Sequence, residues 1–554
     1  MAGKTYDTIV VGSGASGGWV AKELTEKGIE VLMLEAGPPR VPTRDFTEHI
    51  WPYQLKYRGF GNQKKLLENQ PVQRLCYACD DYSHQFFVND NEHPYTFPAD
   101  KPFMWIRGRQ VGGKTFCWAR VSYRYSDFEF KARSRDGYGE DWPFSYQDLE
   151  PYYDRVENFI GVSGSAEGLP QLPDSKFLPA MRLSCGELAA KEIVEKKFGW
   201  KLIVDRTANL TVPLNGRPAC HYCDECQRGC FTASYFNSPS VTLPAAARTG
   251  RFQLVSDAVV SHLLMNAEGK ADGVAFIDRN TRAAREVRAK VVVLAASALE
   301  STRILLHSRI GNPDVLGHYL MDHTTLEEGG GVMPALASSK REPVGRPCGY
   351  IIPKYTNTSA RFQNKNFLRG YYFAGDGRQE LYGHASSIPG FGRPWRQKVR
   401  DHIPYNFSVY AQGECLPRHD NYVKLDPEKK DAWGIPALHI HASYGENEMA
   451  MAKAMRNHLG EIMDELKLED RRPPRDELNI FGKNIHECGT ARMGNDPKTS
   501  VLNAYNQVHG VKNVFVTDGA CFVTQGCSEP TLTIMAISVR AADYIAEEFR
   551  KGNL

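Results

Sequence analysis

Residues 5–37 constrain this 554-residue chain more than any other stretch. Thr8-Ile9-Val10-Val11 runs straight into Gly12-Ser13-Gly14-Ala15-Ser16-Gly17-Gly18. A helix-like segment from Trp19 to Lys27 follows, and a second apolar run, Glu30 to Leu34, ends on Glu35 and Gly37. The order is strand, glycine turn, helix, strand, with G-x-G-x-x-G at Gly12, Gly14 and Gly17. In a dinucleotide-binding βαβ unit the first glycine turns the chain, the second admits a pyrophosphate to the backbone, and the third brings helix and strand together. The helix N-terminus then offers free N–H groups and a positive dipole end to the phosphates, while Glu35 is placed to accept from a ribose diol. A glycine-rich turn in some other α/β protein has no need of the helix and the acid at these positions.

A chain of this length exceeds one ordinary core, so two domains or one elaborated domain are expected. The net charge of +3 and the lack of a long basic run give no reason to expect nucleic acid or an anionic membrane as partner. No apolar stretch approaches the ~20 residues of a membrane span. Met1 to Tyr6 leads directly into the first strand without room for a signal peptide, so a cytoplasmic location is expected. Thirteen cysteines in such a chain point to thiols, metal ligands or a cluster rather than a disulfide framework.

Prolines 38, 39, 42 and 52 open an excursion to about Asp100 without helical or alternating pattern. Cys76 and Cys79 within it read as structural or free thiols. Arg107-Gly108-Arg109-Gln110-Val111-Gly112-Gly113-Lys114-Thr115-Phe116-Cys117-Trp118 sets a Gly-Gly pair between basic residues, which suits close approach to a large anionic ligand and equally a tight turn. A helix capped near Ser145 is predicted to carry Leu149, Tyr152, Tyr153 and Val156 on one face.

Cys220, Cys223, Cys226 and Cys230 form C-x2-C-x2-C-x3-C, the spacing of the bacterial ferredoxin run. A short loop with this spacing can turn all its thiolates inward around an Fe–S cluster. That run ordinarily ends in proline, where this chain has Phe231, and no second run follows. A zinc site and buried thiols are the alternatives.

Strands are expected at Phe252–Val255, Ala258–Val260 and Gly273–Ile277, and again at Lys290–Ala296, an unbroken apolar run suited to burial on both faces. The helix Ala298–Ser308 follows, so the dinucleotide domain resumes after a long insertion. Residues 323–480 read as sheet-based, with alternating patches at Tyr405–Tyr410 and Tyr422–Leu425 and one helix from Glu446 to Leu466. At the C-terminus His486-Glu487-Cys488-Gly489-Thr490-Ala491-Arg492-Met493-Gly494 precedes a strand, Val514–Val516, and Asp518-Gly519-Ala520. Glu529-Pro530-Thr531-Leu532-Thr533 then opens a last helix to about Phe549, with proline at its first position and an anion-stabilising N-terminus.

The N-terminal fingerprint, Arg107 to Trp118, the strand and helix Val291 to Leu306, Gly317 to His323 and the terminal segments together resemble the glucose-methanol-choline (GMC) flavin oxidoreductases, in order and over nearly the whole chain. Within that family the chain is most similar to pyranose 2-oxidase and to the catalytic subunits of FAD-dependent sugar and polyol dehydrogenases. The resemblance implies non-covalent FAD and oxidation of an alcohol by hydride transfer to flavin N5. It implies cofactor contacts from Gly12, Gly14, Gly17, Glu35, Arg109, Gly112 and Gly113, and from Val259, Asp518, Thr531 and Cys117. Cys117 stands where some members carry the histidine of a covalent flavin link, so a cysteinyl link is the alternative there. A histidine at the place of His486 takes the substrate's hydroxyl proton. The histidine or asparagine that assists it is replaced here by Glu529, which beside a histidine would raise the imidazole pKa or accept a proton itself. Some relatives hold a [3Fe-4S] cluster with C-x5-C-x3-C, the spacing of Cys220, Cys226 and Cys230, to which Cys223 is additional; [4Fe-4S] is the alternative nuclearity. Such enzymes pair with a small subunit that carries the export signal, so a periplasmic location and a cytochrome acceptor are the alternative to a cytoplasmic chain.

The expected fold is α/β within an α+β whole, a Rossmann-like FAD-binding domain joined to a sheet-based substrate domain, as in p-hydroxybenzoate hydroxylase. Residues 1–45, 101–125, 205–322 and 481–554 are assigned to the first; 46–100, 126–204 and 323–480 form the second and its excursions. Three readings follow: a sugar or glycoside dehydrogenase passing electrons through an Fe–S cluster, an oxidase that uses oxygen with its cysteines structural, and a redox-inactive flavin-fold binding protein.

Overall fold

A computed structural model of the chain describes residues 3–55, 63–336, 346–379, 385, 388–401 and 403–554. Residues 56–62 of the expected excursion, and 337–345, 380–384, 386–387 and 402 of the expected substrate domain, lie outside these.

The N-terminal fingerprint folds as β1 (Thr5–Val11), α1 (Ala15–Glu26) and β2 (Val31–Leu34). They belong to a seven-stranded sheet in the order Phe252–Val255, β2, β1, Ala284–Leu294, Ala271–Asp278, Ala258–Met265, with Val514–Val516 also pairing Ala284–Leu294. The long strand is two structures in one. Its C-terminal half pairs in parallel with β1, Val11 opposite Leu294, and with Val514–Val516, and Val291–Leu294 are fully buried. Its N-terminal half pairs antiparallel with Ala271–Asp278 and alternates between buried and exposed. Lys290–Ala296 was expected to be the whole strand; the strand instead starts at Ala284 and ends at Leu294, because its first half covers only one face and so lacks the continuous apolar signal.

The second sheet runs Glu469–Arg472, Thr324–Val332, Tyr405–Gly413, Tyr371–Gly375, Tyr350–Ile352, Ile203–Val204, with Gly377–Gln379 also on Tyr405–Gly413. Its pairs are all antiparallel. The helix Glu446–Glu465 sends Met451, Met455, Leu459 and Ile462 into the apolar core on this sheet, which Ala190 and Val194 of the helix Cys185–Phe198 also enter. Of the two alternating patches, Tyr405–Tyr410 lies in this sheet, whereas Tyr422–Leu425 forms a separate hairpin with Pro436–His441. Alternation alone reports a half-buried strand and not its partner.

Ser145 and Asp148 close a capping box on the helix Tyr146–Ile160. Leu149, Tyr153, Val156 and Ile160 are its buried face, whereas Tyr152, expected among them, is half-buried. The C-terminal helix, Thr531–Arg550, packs on α1 and on Tyr146–Ile160, and Ser538 Oγ hydrogen-bonds Ser16 Oγ at 2.9 Å. Pro530 is its N-cap rather than its first residue. Among the described residues no helix is long and apolar enough to cross a membrane.

Candidate active site

The glycines of the first turn do different work. Gly12 has φ +98°, and a side chain there would strike the carbonyl of Ala295; one at Gly17 would strike the carbonyl of Gly12. Both are demanded by the protein's own packing. At Gly14 the nearest atom to an added Cβ is Gly112 O at 4.0 Å, so protein packing does not demand glycine there. Across the gap Gly113 faces the Cα of Gly14, 3.5 Å from where its own Cβ would lie. Gly14 also caps α1 without any side-chain hydrogen bond, and the first turn of α1 holds no acid. A glycine-lined gap over an uncapped helix N-terminus suits a pyrophosphate, so the residues fit FAD.

Glu35 is buried at the end of β2 and accepts from Ser13 Oγ (2.6 Å), Ser13 N (3.1 Å) and Gly37 N (2.9 Å). Burial raises its pKa against these hydrogen bonds. The carboxylate therefore braces the glycine turn as well as lying where a ribose is expected. Ser13 Oγ also accepts from Gly112 N at 2.8 Å, which ties the first turn to the Gly-Gly loop. Arg109 pairs with Glu300 at 2.7 Å and leaves Nη1 without a partner. Burial alone would raise Glu300, but Arg109, Arg303 and Arg107 hold it down to about 2. A cavity of about 500 Å³ opens beside Arg109, lined in part by Pro38, Arg40, His93 and Arg279. Val259 is buried against Trp433 and Ile435, one residue past Ala258, whose N–H donates to Glu35 O at 2.9 Å.

Asp518 accepts from Ala520 N (3.0 Å) and from Ser301 Oγ, and burial pushes it up to about 6. Thr531 stands half-buried at the first turn of the C-terminal helix. Cys117 packs with Cys76, Cys79, Phe86 and Phe116; burial pushes its thiol up to about 12, which disfavours the thiolate that a cysteinyl flavin link needs.

His486 is the centre of the second cluster. Its backbone N–H reaches Asp322 Oδ1 at 3.2 Å, and Asp322 also accepts from Gly482 and Asn484, so one buried carboxylate shapes residues 482–486. Burial pushes Asp322 up to about 7. His486 Nδ1 lies 2.9 Å from Nδ1 of buried His323, whose Nε2 is 3.0 Å from Gly526 O. Burial, then the charge of Lys114, pushes His486 down to about 3, and burial holds His323 well below 6.5, so both rings are neutral. A carbonyl only accepts; His323 therefore donates from Nε2 and accepts at Nδ1, and His486 donates from Nδ1. His486 Nε2 is left as a bare lone pair. Nothing local in the sequence marks His323 or Asp322 as functional or shows that either meets His486.

Glu529 is buried, and Tyr372 Oη donates to its Oε1 at 2.6 Å while Oε2 has no hydrogen-bond partner. Burial, opposed by Tyr372 and reinforced by the charge of Asp205, pushes Glu529 up to about 7. Glu529 and His486 share no hydrogen bond; segment 525–529 connects them, since Gln525 Nε2 donates to His486 O at 2.6 Å.

All four cysteines of the run are free thiols. Cys226 and Cys230 share one buried cluster with Tyr235, and Cys220 Sγ accepts from Tyr222 N at 3.4 Å. Their donor chemistry suits a cluster, yet no three of these sulfurs lie within 4.8 Å of one another, as a single tetrahedral zinc would require. Cys223 turns away to Glu48, at 3.9 Å from Oε2.

Two family models, both described as GMC oxidoreductase, match residues 6–325 and 417–538. The 2-methyl-1,2-propanediol dehydrogenase of Mycolicibacterium austroafricanum is 29% identical over 98% of this chain and 95% of its own. The fructose dehydrogenase large subunit of Gluconobacter japonicus is 27% identical over 99% and 98%, and the paromamine 6'-oxidase of Streptomyces fradiae 26% over 98% and 92%. The solved structure of pyridoxine 4-oxidase from Mesorbium loti superposes with a TM-score of 0.61 at 17% identity, covering 98% of this chain and 99% of that one. A formate oxidase variant of Aspergillus oryzae RIB40, solved for the mutation's effect on FAD modification, gives 0.65 at 15% over the full length of both chains.

Proposed function

Because the chain belongs to the GMC oxidoreductase family, we propose that it is an FAD-dependent enzyme oxidising a secondary or hemiacetal hydroxyl of a sugar, glycoside or polyol. The observation that carries this reading is the bare Nε2 of His486, held by His323 and Gly526. Bound FAD would supply the hydride acceptor, cradled by Gly12, Gly14, Gly17, Glu35, Arg109, Gly112 and Gly113, with Val259, Asp518 and Thr531 along its length.

His486 Nε2 takes the hydroxyl proton. The low pKa keeps the lone pair available at any physiological pH, and the negative charge that a hydride brings into the site offsets the cost of the imidazolium that forms. Glu529 Oε2, buried and unpartnered, orients the same hydroxyl oxygen, which it can do as a donor while protonated. Support for a sugar or polyol substrate comes from the named relatives, dehydrogenases and oxidases alike. In this proposal residues 1–45, 101–125, 205–322 and 481–554, with the first sheet, form the cofactor side, and 46–100, 126–204 and 323–480, with the second, the substrate side.

We further propose that Cys220, Cys226 and Cys230 hold an Fe–S cluster that would carry electrons one at a time to a small subunit or cytochrome. Their free thiols and C-x5-C-x3-C spacing support this; the oxidase reading uses oxygen instead and needs no iron.

Anaerobic bleaching of the flavin across a panel of monosaccharides, glycosides and polyols tests the reaction. His486→Ala is expected to keep FAD and slow bleaching by ~10²–10⁴-fold. A variant that bleaches at the wild-type rate moves the base to Glu529, and a wild-type flavin that none of the panel bleaches rejects the reading. Iron-free protein with full activity towards an artificial one-electron acceptor rejects the cluster.

A further inference from the structure

Glu48, His221 and Cys223 bring a carboxylate oxygen, an imidazole nitrogen and a sulfur within 4.8 Å of one another, and among the described residues no other three such groups converge in this way. We propose that these residues bind a divalent transition-metal ion of the zinc class, at a site separate from Cys220, Cys226 and Cys230. Zinc bonds of roughly 2.0–2.3 Å set tetrahedral ligands roughly 3.3–3.8 Å apart, so a small movement of the exposed His221 completes the set. One carboxylate, one imidazole and one thiolate form a borderline donor set that suits zinc or cobalt over magnesium or calcium.

The support around the ligands is already built. Glu48 is buried, and its Oε1 accepts from Phe231 N at 2.8 Å and lies 3.2 Å from His49 Nε2, while Oε2 faces Cys223. One oxygen is thus anchored and the other is turned to the ion, the usual division for a ligating carboxylate. His49 stacks on Phe231, 5.6 Å between centroids, and its ring is 5.4 Å from that of His221. Thr47 N donates to Arg228 O at 3.0 Å, so the two segments that share the ion are docked without it. The exposed side leaves the fourth position to water. The ion staples the N-terminal excursion to the cysteine loop and takes Cys223 out of the four-cysteine run, whether or not the remaining three hold iron.

The test is elemental analysis of the full-length holoenzyme, expressed with zinc and purified anaerobically, with bound FAD as the folding check. About one zinc per chain is expected in the wild type and in Cys226→Ser, with a loss of about tenfold in His221→Ala and Cys223→Ser at unchanged FAD. Cobalt-loaded protein should show thiolate-to-metal charge-transfer absorption, absent in Cys223→Ser and present in Cys226→Ser. A wild type with neither zinc nor the cobalt band overturns the proposal. So does zinc that is kept in Cys223→Ser and lost in Cys226→Ser, because the ion then belongs to the other cysteines.

Discussion

Glu529 shows how one buried residue sets the behaviour of a site. Burial pushes its carboxyl up to about 7, against the hydrogen bond from Tyr372. A protonated carboxyl is a donor, and an ionised one is not. The rate of flavin reduction should therefore fall as pH rises through about 7, with His486 contributing no inflection there since it is already neutral. Glu529→Gln, always a donor, is expected to flatten that limb, measured as the pH profile of anaerobic reduction. The same shift acts on stability. A raised folded pKa means that the native state binds the proton more tightly, so stability is greatest below the ordinary carboxyl range and falls as pH rises from about 4.5 to about 7. The stability of Glu529→Gln relative to wild type should thus improve with pH over this window, by up to roughly 3 kcal/mol. Melting at pH 5 and pH 8 reads the change.

At the scale of elements, the turn between β1 and α1 separates folding from binding. Gly17 and Gly14 belong to one motif, yet the carbonyl of Gly12 blocks a side chain at Gly17 and nothing of the protein blocks one at Gly14. Gly17→Ala is expected to lower the melting temperature of the apoprotein, since helix and strand must part. Gly14→Ala should leave apoprotein melting near the wild type and lose bound FAD, because the methyl occupies the space kept for the pyrophosphate. Equal melting losses in the two variants would remove the case for a cofactor gap at Gly14. Flavin content and apoprotein melting measure the two effects separately.

For the whole molecule, the cofactor sheet is assembled from the two ends and the middle of the chain. β1, the C-terminal half of Ala284–Leu294 and Val514–Val516 lie side by side, and the last helix covers α1. Long-range pairing of this kind defers the sheet until Val514–Val516 and the last helix are available. A chain ending at residue 512 should therefore yield no soluble FAD-binding protein, and Leu294→Ala, at the point where Val11 and Val516 meet the central strand, should cost ~2–5 kcal/mol. Denaturant unfolding of the variant, and flavin content of the truncation, give the two readings.

The βαβ fingerprint, the buried run at Val291–Leu294, the capped helix from Tyr146 and the helix Glu446–Glu465 were legible because their signals are local: apolar period, caps and glycines within one turn of each other. His486 and Glu529 are candidates through family resemblance alone, since a histidine in a loop has no local mark of being a base. Position in space decided the rest. His323, 163 residues from His486, fixes which nitrogen carries the proton, and Asp322 shapes the loop that holds it. Cys223 of the four-cysteine run lies beside Glu48 rather than with Cys226 and Cys230. Neighbours along the chain are enough to show which elements form and that the first turn admits a dinucleotide, and family resemblance adds that this is FAD. Proton location, the partner of Glu529 and the division of the cysteines were decided by the tertiary structure, because burial and hydrogen-bond partners arise only when distant segments pack.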